Sequence, residues 1–338
     1  MKILFIGMGS IGQRHLQNLR SLYGKEMKCF AVRTTLHNTY IKDGIARLVN
    51  DLAGFYKIEV FKSLKEALNE QEYDAVFITN PSSLHSKMIL TCLDYRVNIF
   101  VEKPLCISTN EAREINDKLS HTNSILYVGY QTHFDPIYKK VRDCIRSNGL
   151  GSVVSARFEW CTFLPDHHKY EDYQSSYAAR EDLGGGVLLG LSHEIDVLLN
   201  FFGVPTLIKA VESTNRNLNI SADDTMMVLC KYFEHYENQF SLSLVLSYSQ
   251  VFETRGFRIH LENGFIDCDW NKGTVNIVDR AKLSTPEIFQ SKMTRNQIFC
   301  DQTKYFIDAV RRKDTSITNI ENSLKILNFI ENTKMALI

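Results

Sequence analysis

The chain has 338 residues, more than one hydrophobic core usually serves, so two domains are expected. Lysine plus arginine balance aspartate plus glutamate at 39 each, which excludes the global basic footprint of a nucleic-acid binder. The cysteines form no C-x-x-C pair, no apolar run approaches the roughly 20 residues of a membrane helix, and no secretory leader precedes the first apolar run, so a soluble, cytoplasmic protein with reduced thiols is expected.

Lys2 to Gly7 reads as a strand, Gly7-Met8-Gly9-Ser10-Ile11-Gly12 as a glycine turn, and Ile11, His15, Leu19, Leu22 and Tyr23 recur at helical spacing until Gly24. In this context the first glycine permits the tight turn. The second lets backbone approach a pyrophosphate, the third lets helix pack on strand, and Gly7, Gly9, Ser10, Ile11 and Gly12 become candidate dinucleotide ligands. Lys28 to Val32 is the second strand. Arg33 stands at its end, where an acidic residue usually takes the adenosine 2′-hydroxyl, with Thr34 and Thr35 beside it. A guanidinium suits a 2′-phosphate, which favours NADP; stacked flat on adenine it would serve NAD equally well.

Asp74 to Thr79 is a further strand that ends in Asn80-Pro81-Ser82-Ser83-Leu84-His85, and Asn98 to Val101 is another, ending in Glu102-Lys103-Pro104. Both exits and the glycine turn should line one crevice at the carboxyl edge of a parallel sheet, which adds Asn80, Pro81, His85, Glu102 and Lys103 to the cofactor candidates. Lys103, held before a proline, is also a candidate for a fixed catalytic group.

From Gly151 onward the rhythm becomes strands in series, at Val153 to Trp160, Thr225 to Phe233, Phe240 to Tyr248 and Phe257 to Leu261. The fold class is therefore α/β: an N-terminal Rossmann domain over residues 1–122 and a C-terminal α+β domain with a mostly antiparallel sheet over 123–338. Phe240, Leu242, Leu244, Leu246 and Tyr248 alternate with Ser241, Ser243, Val245 and Ser247, so one face is core and the other is small enough to lie flat against a copy of itself. Between the strands, Leu164 to Tyr173 mixes polar and aromatic groups. It reads either as a wall for a hydroxyl-rich ligand, with Asp166 and His168 as candidates, or as a polar surface loop. Adjacent His167 and His168 rarely converge on one ion, and no metal site is expected.

These segments together resemble the glucose-fructose oxidoreductase, inositol dehydrogenase and rhizopine-catabolism (Gfo/Idh/MocA) family over nearly the whole chain. The resemblance rests on the glycine turn, Asn80-Pro81 with His85, Glu102-Lys103-Pro104, and Gly184-Gly185-Gly186-Val187-Leu188-Leu189 leading into His193-Glu194-Ile195-Asp196. Val128-Gly129-Tyr130-Gln131 adds to it and brings in Gln131 as a cofactor candidate. It implies a nicotinamide-dependent oxidoreductase acting on a sugar, amino sugar or nucleotide sugar, with a branch associated with bacterial surface-sugar pathways. It further implies that Lys103 hydrogen-bonds the reacting oxygen, that His193 is the acid/base, and that the chain forms a homodimer or a tetramer made from dimers.

Two departures stand out. The family commonly has an aspartate three or four residues before the histidine, where this chain has Gly190 and Leu189; Asp196 is the nearest spare carboxylate. His133, a substrate-binding candidate, stands where arginine is common. The first departure keeps open a catalytically silent dinucleotide-binding sensor of the same fold. A hydrolase that uses its dinucleotide transiently is a weaker alternative, since that branch carries a metal site.

Overall fold

The structure is a computed structural model that describes residues 1–33, 38–42, 44–234, 238–282 and 285–338. Thr34, expected among the cofactor ligands, lies outside the described residues.

In chain order the first elements are β1 (Lys2–Ile6), α1 (Ser10–Tyr23), β2 (Lys28–Val32), β3 (Thr39–Lys42), β4 (Ile45–Leu48), α2 (Leu52–Tyr56), β5 (Glu59–Phe61), α3 (Leu64–Glu70), β6 (Ala75–Ile78), α4 (His85–Asp94), β7 (Asn98–Glu102), α5 (Thr109–Ser120) and β8 (Leu126–Gly129). There follow α6 (Pro136–Ser147), β9 (Val153–Phe163), α7 (Val187–Gly190), α8 (His193–Phe202), β10 (Leu207–Ser213), β11 (Thr225–Glu234), β12 (Asn238–Ser247), β13 (Ser249–Leu261), β14 (Gly264–Asp269), β15 (Thr274–Asp279) and β16 (Glu287–Gln290). Two long helices close the chain, α9 (Arg295–Arg312) and α10 (Ile320–Met335). Among the described residues no single helix is long and apolar enough to cross a membrane.

The chain divides into two compact units. The first comprises Met1–Tyr130, His168–Glu171 and Arg295–Leu324; the second comprises Gln131–His167, Asp172–Thr294 and Lys325–Ile338. This differs from a cut at residue 122, because β8 completes the first sheet and α9 returns to pack on α1. Sequence order could not show that return.

In the first unit six parallel strands run in the order β5-β2-β1-β6-β7-β8. The order reverses at β1, so the crevice between the carboxyl ends of β1 and β6 is the switch point at which ligands collect in such sheets. The strands read as continuous apolar runs because both faces are covered. Phe5, Phe77 and Phe100 are register partners on β1, β6 and β7. Their rings stack at 5.2 and 4.7 Å, and Phe306 from α9 sets its edge against the last two. Each fully buried phenylalanine contributes about 1.5–3 kcal/mol. Capping side chains fix the helix starts: Ser63 and Glu66 form a reciprocal box on α3, and Ser108 accepts from Glu111 N on α5.

In the second unit eight strands run in the order β10-β11-β12-β9-β13-β14-β15-β16, antiparallel except where β12 pairs with β9. The expected alternation holds along most of β12, with Phe240, Leu242, Leu244, Leu246 and Tyr248 buried, but Ser247, expected on the outer face, is buried too. On the opposite face Ser241, Ser243 and Val245 register with Lys231, Leu229 and Met227, and Leu229 and Met227 are exposed.

Candidate active site

Each unit carries one part of the expected machinery. In the first unit the glycine turn leaves β1 with Gly7 at φ +97°, a region open to glycine but strained for other residues. A β-carbon on Gly7 would lie 2.9 Å from Asn80 N, so the turn is pressed against the exit of β6. One on Gly12 would clash with the Gly7 carbonyl and the Thr79 hydroxyl, which is the helix-on-strand packing the third glycine allows. Nothing lies within 4 Å of a β-carbon on Gly9, where the turn faces open space. Ser10 opens α1 and Ile11 follows it, so the free N–H groups of that helix terminus adjoin the open side. Across the crevice Asn80 Oδ1 is buried with no hydrogen-bond partner. An open glycine backbone, a 14-residue helix terminus and a buried amide oxygen awaiting a donor fit a nicotinamide dinucleotide.

Arg33 closes β2 on the same edge, its N–H donating to the Phe61 carbonyl at 3.1 Å. Burial pushes its pKa down and Asp51 opposes the shift. The two remaining turns are braced by buried histidines. His85 places Nδ1 at 2.9 Å from the Pro104 carbonyl and Nε2 at 2.9 Å from the Asn80 carbonyl. The ring lies between the two carbonyls, to one of which its single N–H donates when neutral, so His85 sits between the Asn80-Pro81 turn and the Lys103-Pro104 turn. Burial drives its pKa down, against the pull of those carbonyls and the Glu102 charge. Beneath Lys103, the Glu102 carboxylate meets His15 Nε2 at 2.7 Å with one oxygen and accepts from Lys103 N at 3.3 Å with the other. His15 is itself buried, with Nδ1 at 3.4 Å from Thr303 Oγ1. Expected as cofactor ligands, Glu102 and His85 occupy bracing positions under the Lys103 turn, whose Lys103–Pro104 bond is cis.

In the second unit His193 is the first residue of α8 and is buried. Its Nε2 lies 3.3 Å from Gln131 Nε2 and its Nδ1 3.4 Å from Thr132 Oγ1. With the amide donating to Nε2, the ring proton belongs on Nδ1, facing the hydroxyl, and a substrate reaches the Nε2 lone pair by displacing that amide. Gln131, expected beside the cofactor, is therefore placed on the acid/base candidate. Trp160 lies 6.3 Å from the His193 ring. Behind it Arg255 is sandwiched between Trp160 and Trp270, 3.9 and 5.0 Å from their centroids, and its Nε donates to the buried Glu194 carboxylate at 2.6 Å.

The place of the absent aspartate is filled from the bend that follows β12. A β-carbon on Gly190 would clash with the hydroxyl of Tyr248, which is buried and donates to the Gly186 carbonyl at 3.3 Å. Asp196 does not replace the aspartate: it accepts from His133 Nε2 at 2.7 Å and from Asn200 Nδ2 at 2.9 Å. Burial pushes the His133 pKa down, but the charge and hydrogen bond of Asp196 outweigh it and hold the pKa above its usual value. The triple glycine threads backbone between the carbonyls of Tyr177, Ala178 and Arg180 and the Asp223 carboxylate. Of the loop candidates, Asp166 is exposed, and His168 pairs with Glu171 at 2.7 Å on the first unit's exterior.

Thr132, Trp160, Arg255 and Tyr248 were missed as site residues in the sequence. Thr132 could have been read from its place between Gln131 and His133; the other three reach the site region only through strand register and carry no local signal.

Two family models match the chain, one described as the oxidoreductase family with an NAD-binding Rossmann fold over residues 1–130, the other as the GFO/IDH/MocA C-terminal domain over 138–267. Among curated relatives, scyllo-inositol 2-dehydrogenase (NAD(+)) of Bacillus subtilis is 29% identical over 151 residues, 44% of this chain and 41% of the relative. The myo-inositol 2-dehydrogenase of Thermotoga maritima is 23% identical over 45% of this chain and 42% of its own. The chain thus spans about two fifths of the length of the curated relatives it matches. Among solved structures, levoglucosan dehydrogenase in complex with NADH and levoglucosan aligns with a TM-score of 0.82 at 13% identity, covering 99% of this chain and 96% of that one. UDP-N-acetylglucosamine 3-dehydrogenase GnnA from Acidithiobacillus ferrooxidans aligns with a TM-score of 0.76 at 17% identity, covering 100% and 97%. Both likenesses establish the fold, and the two family models show that this chain belongs to the Gfo/Idh/MocA oxidoreductase family.

Proposed function

We propose that this protein is an NAD(P)-dependent dehydrogenase that exchanges hydride with a hydroxyl or keto carbon of a sugar, amino sugar or nucleotide sugar. The observation that carries the reading is the open glycine cradle facing the unpartnered Asn80 oxygen at the switch point of the parallel sheet. A bound nicotinamide supplies the hydride acceptor or donor. The chain must then move one proton, because a secondary alcohol losing hydride becomes a ketone only if its hydroxyl proton also leaves. Lys103 holds the reacting oxygen by hydrogen bonding, and His193 takes or returns that proton at Nε2 once the substrate hydroxyl displaces the Gln131 amide from it. The relatives named for inositol, levoglucosan and UDP-linked amino-sugar dehydrogenation support the substrate class; a role in surface-sugar synthesis is the narrowest form of the proposal.

The test is turnover on a panel of such sugars with NAD and NADP. Lys103→Ala and His193→Ala should each lower kcat by about 10²–10⁴ and leave cofactor affinity nearly intact. Bound cofactor without turnover on any sugar in the panel would favour the silent sensor.

The outer face of the second sheet, with Met227, Leu229 and Val245 beside Ser241 and Ser243, is further proposed to pair with a second copy of the chain. Light scattering at micromolar concentration should report a dimer or tetramer, and Leu229→Glu should shift it to monomer; a monomeric parent protein rules this face out.

A further inference from the structure

Along the outer side of α1, between β3, α2 and the start of α9, runs a cleft of about 390 Å³. Among the described residues that line it three are cationic, Arg14, Arg20 and Lys42, and none is acidic, in a chain whose formal charge is zero. None of the three pairs with a carboxylate among the described residues. Arg14 Nη1 donates to Asn296 Oδ1 at 3.3 Å and its guanidinium lies over Phe299, while Arg20 donates to the Tyr56 carbonyl.

A second feature is independent of charge. Asn18 is only 3% exposed, lines the cleft, and has no hydrogen-bond partner for Nδ2. Its orientation is fixed by a relay: Arg14 occupies Asn296 Oδ1, so Asn296 can only donate toward Asn18, and Asn296 Nδ2 does so to Asn18 Oδ1 at 3.0 Å. Asn18 is left with a donor. The Ser21 hydroxyl also lines the cleft, as does that of Ser10, which hydrogen-bonds the Tyr170 side chain. A buried amide donor without an acceptor is a costly arrangement in a native interior, and the three cations beside it make the cleft favourable to an anion. What is missing is a compact, multiply charged group that only accepts hydrogen bonds.

We propose that this cleft binds a phosphate group. The phosphate belongs either to a free phosphate ester or to the 2′-phosphate of a bound NADP, since Ser10 lies both in the cleft and at the start of the glycine-turn helix. Binding of phosphate does not depend on the chain being a dehydrogenase, so failure of one reading leaves the other standing.

The experiment is calorimetric titration of the full chain with inorganic pyrophosphate while it is saturated with NAD, which occupies the glycine turn but carries no 2′-phosphate. Saturable binding is expected, weakened about tenfold or more in Arg20→Gln/Lys42→Gln, the scale of one charge-assisted hydrogen bond. Should the double variant fail to fold, Lys42→Gln alone changes an exposed side chain and must still weaken binding measurably. Loss of pyrophosphate binding when NADP replaces NAD assigns the site to the dinucleotide's own phosphate; retention assigns it to a separate ester. If NAD-saturated protein gives no saturable heat at millimolar pyrophosphate and the substitutions leave NADP affinity unchanged, or if the substitutions leave pyrophosphate affinity unchanged, the cleft is not a phosphate site.

Discussion

The hydroxyl of Tyr248, in the bend that follows β12, occupies the space that a side chain on Gly190 would need, and Gly190 is the position three residues before His193. The two residues exclude each other's alternatives. A carboxylate at 190 is incompatible with tyrosine at 248, so the departure from the family pattern is a packed, mutually consistent arrangement rather than a gap in the wall.

Gly190→Ala should therefore lower unfolding free energy by about 1–3 kcal/mol, the range for overpacking a well-filled interior, and Gly190→Asp by more. Tyr248→Phe removes the clashing oxygen, so the Gly190→Ala/Tyr248→Phe pair should be more stable than the two single losses added together. Additive losses in denaturant titrations would show that the two positions are uncoupled.

The His133 pair gives a dependence on pH. Its folded pKa is raised above the unfolded value, so its contribution is fully present below about pH 6.5 and is lost as pH rises through the folded pKa. Comparing the wild type with His133→Phe, which keeps a ring on Tyr138, should show a stability difference that is largest in mild acid and narrows toward alkaline pH. A difference that widens with rising pH contradicts the ion pair with Asp196.

Arg33 sets the expected choice of dinucleotide. A charge-assisted bond to a 2′-phosphate favours NADP roughly ten- to hundredfold, and Arg33→Asp should reverse the order. Equal affinities for NAD and NADP in the wild type would leave Arg33 as a residue stacked on adenine, and the phosphate of the α1 cleft would then come from a separate ester.

Much of the first unit was legible in the sequence because its signals are local. Gly7, Gly9 and Gly12 act within a single strand-turn-helix, and the apolar runs of β1, β6 and β7 are buried on both faces wherever they pair. The alternation in β12 likewise fixed its core face, since side chains on a strand can point only two ways. The sequence alone also placed Lys103 at a strand exit and His193 at a helix start.

Tertiary structure decided what those residues touch. His85 and Glu102 brace the Lys103 turn because Pro104 and His15, 19 and 87 residues away along the chain, come within hydrogen-bond distance only when parallel strands line up. Gln131 was assigned to the cofactor from its place in the chain, yet it meets His193, which is 62 residues away. Tyr248 facing Gly190, and Arg255 between two tryptophans, depend on the register of β9, β12 and β13. Periodicity fixes which face of a strand a residue occupies, but not which neighbour stands opposite it, and that second choice belongs to the folded sheet.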